Sequence, residues 1–261
     1  MANTFTQVKD VGSIPIPPHH FTFKHFQKMT EQEILEMYMA QSENVRELWK
    51  VKSSLSKDIN HYARKGDLYQ VKIKTKLFSL LYSAWSETQF HQILFTPNGF
   101  SYSEIKCILD YKKKNGISQA WNLMLTNAMK RVGNSSRKGD LANRLQNLKE
   151  IKKKYISEPS ELRNKIAHGE WVNAINGKNT SVNIPASEAL KTLDPVDIEK
   201  GFEIHRFFGY IVRDLIQSPK NSFHQYYWSN INNLETYVKK TEGWNLASKI
   251  ELLREKKISF R

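Results

Sequence analysis

Leu68 to Phe95, LYQVKIKTKLFSLLYSAWSETQFHQILF, carries apolar residues on most sides of a helix. Val71, Ile73, Leu77, Phe78, Leu80, Leu81, Tyr82, Ala84, Trp85, Ile93 and Leu94 leave no broad polar face. A helix hydrophobic nearly all round belongs at the buried centre of a bundle. The polar character that remains runs along one strip, Lys72, Lys76, Ser79, Ser83 and Glu87.

The flanking segments read as further helices. Thr30 with Glu33 forms a capping box, and from there to about Ala63 neither proline nor glycine interrupts Ile34, Met37, Tyr38, Val45, Leu48 and Trp49. Gly66 ends that helix and Asp67 caps the central one. Thr96-Pro97-Asn98-Gly99 turns the chain, Ser101 with Glu104 is a second capping box, and Asn115-Gly116 separates it from a helix over 117 to 132. After the loop 133–139, Asp140 is placed to cap a helix with Leu141, Leu145, Leu148 and Tyr155 on one face. Ser157-Glu158-Pro159 is expected to break that helix and start another. Asn176-Gly177 suggests a short β-hairpin between Trp171 and Ile184. Asp194-Pro195 opens a helix bearing Ile204, Phe207, Phe208, Ile211, Val212 and Leu215. One or two aromatic-rich helices follow Pro219, and Tyr226-Tyr227-Trp228 is read as core in preference to a base-stacking surface. The expected architecture is an all-α bundle with one small hairpin insertion. It divides into an irregular arm (1–28), an N-terminal helical region (29–66), a helical core (67–217) and a C-terminal extension (218–261).

The chain has 261 residues and a net charge of +14. Twelve basic residues lie between Lys112 and Lys154, opposed by Asp140 and Glu150 alone, so this segment carries +10 of the total. Such a field suits a polyanionic partner, a nucleic acid above all. Arg137, Lys138, Lys149, Lys152, Lys153 and Lys154 are the expected substrate-binding residues. Cys107 is the sole cysteine, which excludes an internal disulfide and a cysteine-rich zinc site. No stretch approaches the roughly 20 apolar residues of a membrane helix. With no secretory pattern at Met1–Thr6, a cytoplasmic location is expected. His19, His20, His25, His61, His91, His205 and His224 show no ligand spacing, so no metal and no cofactor are expected.

The basic segment leads into Arg163-Asn164-Lys165-Ile166-Ala167-His168-Gly169. An arginine, an amide after it and a histidine five positions on offer a fixed cation, a hydrogen-bonding group and a proton-exchanging ring. On a straight helix, positions five apart differ by about 140°, so Arg163 and His168 do not share a face. Asn164 and His168 do, Leu162 and Ile166 define the buried side, and Glu161 is expected to pair with Lys165. Gly169 is placed to end the helix left-handed, putting His168 at a helix C-terminus where the macrodipole favours its charged form.

The segment resembles the R-x4–6-H motif of the HEPN family of helical ribonucleases, over about residues 67 to 217. The resemblance implies that Arg163 and His168 are the catalytic pair, that Asn164 orients the site, and that Glu87 supports it. It implies a homodimer whose two motifs face one cleft. It also implies a metal-independent endoribonuclease, in which attack by a ribose 2′-hydroxyl leaves a 2′,3′-cyclic phosphate. A toxin or anti-phage effector restrained by a regulatory protein or antitoxin is the corresponding setting. The alternative is a HEPN-like module that binds RNA or protein without cutting.

Overall fold

The computed structural model describes residues 28–133 and 139–255. Among them the chain forms nine α-helices and one π-helical turn: α1 (Glu31–Lys65), α2 (Leu68–Leu94), α3 (Tyr102–Lys130), α4 (Asp140–Lys152), the π turn (Lys153–Ser157), α5 (Glu158–Ala167), α6 (Ile184–Lys191), α7 (Pro195–Gln217), α8 (Ser222–Lys240) and α9 (Leu246–Glu255). The all-α class is as expected. Both capping boxes form, Thr30 with Glu33 and Ser101 with Glu104. Gly66 closes α1 at φ 76° and Asp67 caps α2 through Gln70 N–H. Gly116 (φ 80°, ψ 169°) interrupts α3 where Asn115-Gly116 marks a stop.

α2 is the bundle's centre. Its Val71, Phe78, Tyr82 and Trp85 pack with Ile59 and Ala63 of α1 and Ile198 and Phe202 of α7. Its Phe90, Ile93 and Leu94 join Ile108 and Trp121 of α3 and Phe208, Ile211 and Leu215 of α7 in the larger core. α7 approaches α2 closely because Gly209 has no side chain. A Cβ there would lie 2.7 Å from Gln89 Nε2. A third, smaller core of Ile166, Ala174 and Leu190, with Leu162 and Trp171 against it, seats α5 and α6.

Several local expectations are corrected. Gly139, not Asp140, is the N-cap of α4, and Asp140 instead pairs with Arg144 at 2.9 Å. The helix does not break at Ser157-Glu158-Pro159. It passes through the π turn into α5 with right-handed helical backbone at Lys153, Ser157 and Glu158. Pro159 has no N–H to give the carbonyl four residues back, and that carbonyl, of Tyr155, accepts a hydrogen bond from the Tyr82 hydroxyl. The hairpin is reduced to a single antiparallel bridge, Ile175 to Val182, and the described residues contain no strand. Side chains take the donors that a ladder would use: Asn176 Oδ1 accepts from Lys178 N and Thr180 N, and Ser187 Oγ from Ala174 N. The eight-residue α6 was not expected, although Asn183 caps it and Pro185 lies in its first turn.

Candidate active site

α5 ends in a Schellman motif. Gly169 adopts φ 83°, its N–H reaches Ile166 O at 3.1 Å, and Glu170 N–H reaches Lys165 O at 2.9 Å. Ile166 is buried and Leu162 half-buried, as the four-residue spacing requires. Lys165 does not pair with Glu161. It turns past the helix end to Glu170 at 3.2 Å and to the Ile175 carbonyl, because the chain folds back there and brings a carboxylate closer.

Arg163 lies on the side of α5 that faces α2. Its Nε donates to Ser83 Oγ at 2.8 Å. No other hydrogen bond or ion pair of Arg163 forms among the described residues, so Nη1 and Nη2 keep their donors. Glu87, one turn along α2 from Ser83, feels the Arg163 charge. Lys112 of α3 donates to Glu87 Oε1 and lies 2.9 Å from His91 Nε2. An ammonium can only donate, so Nε2 accepts and the imidazole proton sits on Nδ1. Partial burial opposes ionisation of Glu87, but the Lys112 hydrogen bond and charge, with the Arg163 charge, hold its carboxyl below the usual range. Burial, followed by the Lys112 charge, holds His91 below the ordinary histidine value against the opposing Glu87.

Asn164 and His168 are exposed and make no side-chain hydrogen bond among the described residues. His168 acts electrostatically on Glu170, whose carboxyl is lowered first by its hydrogen bond from Ile175 N–H and then by Lys165 and His168. Within one chain the structure thus groups Arg163 with Ser83, Glu87, Lys112 and His91. It places His168 with Glu170 at the helix end. His91 shows no ligand spacing in the sequence, yet Ser83, Glu87 and His91 continue one four-residue strip on α2.

The basic segment is less exposed than its composition suggests. Lys152 is 4% exposed and donates to Ser118 O and Oγ at 3.3 and 3.2 Å. Burial, then the neighbouring Lys149, lowers its pKa. That removes it from the expected substrate-binding face. Arg144 is buried over the Tyr227 ring, 4.6 Å from its centroid. Lys153 and Lys154 are exposed and Lys149 is half-buried, whereas Arg137 and Lys138 lie outside the described residues. Tyr227 is core, but Tyr226 and Trp228 are exposed. No described helix is long and apolar enough to cross a membrane. Comparison with protein families, curated proteins and solved structures found no match to this chain.

Proposed function

We propose that this chain is a metal-independent endoribonuclease of HEPN type, working as a homodimer. The observation that carries the reading is the state of Arg163: it is oriented through Nε on Ser83, with its terminal fork unspent beside Glu87. A planar fork fixed from behind suits bidentate contact with a phosphodiester. Asn164 and His168, exposed together at the end of the same helix, add an amide and a proton-transfer group.

In the proposed reaction, the ribose 2′-oxygen attacks phosphorus and the bond from phosphorus to the 5′-oxygen breaks. The Arg163 fork neutralises charge growing on the non-bridging oxygens. His168 exchanges the proton with the 2′-hydroxyl or the leaving oxygen. Because positions five apart point about 140° from one another around a helix, Arg163 and His168 of one chain do not share a face, and the arginine and histidine of one site come from different protomers across a shared cleft. Loss of cellular RNA under a regulatory partner's control, in anti-phage defence or as a toxin, is the setting that fits such an activity.

The test is incubation of total RNA with purified protein in EDTA, comparing wild type with His168→Ala. Cleavage by wild type alone is expected. Cleavage by neither protein, with RNA still bound, would mark a binding module instead.

A further inference from the structure

We infer that Lys112 and Arg163, set on either side of Glu87, form two successive subsites for the backbone phosphates of single-stranded RNA, with Glu87 holding Lys112 until a phosphate replaces it. The inference rests on the RNA-directed reading above and adds to it a residue of α3 that lies outside the motif.

The geometry has three parts. Ser83, Glu87 and His91 lie four residues apart on α2, steps of about 6 Å along the axis, comparable to the spacing of neighbouring phosphates in a strand. Arg163 is anchored at the first of these positions and Lys112 at the second and third. Both cations are pre-positioned, one by a serine hydroxyl and the other by a carboxylate and a neutral imidazole. The site opens to solvent at Glu87, whose side chain is 44% exposed while that of Lys112 is 21% exposed.

The charges facing this site are Glu87 and His91 of α2, Lys112 of α3 and Arg163 of α5. With His91 neutral they sum to one positive charge, which becomes two when Glu87 is neutralised. A phosphate takes over the role of the carboxylate: it accepts from Lys112, which then bridges the phosphate and His91 Nε2, while the displaced Glu87 carboxylate loses its partner and turns to solvent, a cost that Glu87→Gln removes. Phosphate contact of this kind is sequence-independent and falls with salt.

A merely structural Glu87–Lys112 bridge and a phosphate subsite differ in sign. Breaking a structural bridge from either end weakens the molecule and its binding alike. Emptying the subsite weakens binding, whereas removing the competing carboxylate strengthens it. The experiment is fluorescence anisotropy of a short, uncleavable 2′-O-methyl oligouridylate, titrated with the full chain across a range of salt. The variants are Lys112→Gln and Glu87→Gln, with Lys113→Gln as the exposed neighbouring control, and thermal melts of each.

Lys112→Gln is expected to weaken binding severalfold and flatten the salt slope by about 0.7, the value for one single-strand phosphate contact. Glu87→Gln is expected to tighten binding, and Lys113→Gln to change it least. Equal binding by wild type and Lys112→Gln, weaker binding by Glu87→Gln in a folded protein, or no binding by wild type overturns the inference. RNA cleavage is scored separately. If cleavage fails while the opposite signs hold, the nuclease reading falls and the subsites stand; if cleavage succeeds without those signs, the subsites fall alone.

Discussion

Arg163 Nε donates to Ser83 Oγ at 2.8 Å, which ties the motif arginine of α5 to the central helix α2. The arginine's direction is therefore set by a neighbouring helix, and Ser83 is a positioning residue for it. Ser83→Ala should lower kcat/KM between about tenfold and a hundredfold, the range for slight misplacement of a catalytic group. Arg163→Lys should lose more, since a lysine has neither the Nε–H nor the fork. Steady-state cleavage of a labelled RNA checks the order. Wild-type rates for Ser83→Ala would remove Ser83 from the account.

A mixed dimer should show complementation. Chains carrying Arg163→Ala and chains carrying His168→Ala are each expected to be inactive as homodimers. Mixed, they leave one arginine and one histidine intact across the cleft, so part of the activity returns. Absence of recovery in a verified heterodimer would place both groups of a site in one chain.

Neutralising Lys153 and Lys154 should weaken RNA binding and reduce its salt dependence. Lys152→Met should leave both unchanged, because Lys152 points inward to Ser118. Loss of affinity in the Lys152→Met variant, with its melting temperature retained, would contradict that division.

His205 sets an acid limit on stability. The ring is fully buried among Tyr82, Trp85, Trp121 and Phe208, Nε2 has no hydrogen-bond partner among the described residues, and burial pushes its pKa down from 6.5 to about 3. Between those values the unfolded chain binds a proton that the folded chain refuses. Its contribution is therefore complete above about pH 6.5 and is lost as pH falls below that value, at up to ~1.4 kcal/mol per pH unit. His205→Phe should flatten this limb in denaturant melts at pH 5 and pH 8. An unchanged slope would show that other groups govern it.

Much of this was legible in the sequence, for local reasons. The apolar run of α2, the two capping boxes, Gly66, Gly116 and Gly169 are signals whose causes lie within a few residues. The hairpin failed because Asn176 and Ser187 supply side-chain hydrogen bonds where a ladder was expected. The basic face was over-read because periodicity does not say which side of α4 meets α3 and α8, and there Lys152 and Arg144 are drawn inward. His91 could have been found by extending the strip from Glu87 by four. Lys112 could not, since only the packing of α3 on α2 brings it there.

The proposed attack by the ribose 2′-hydroxyl is reported directly by the product ends. Mass spectrometry of an RNA cleaved in EDTA should show a 2′,3′-cyclic phosphate on one fragment and a 5′-hydroxyl on the other, with the all-DNA counterpart left intact. Fragments ending in a 3′-hydroxyl and a 5′-phosphate, or equal cleavage of the DNA, would contradict it.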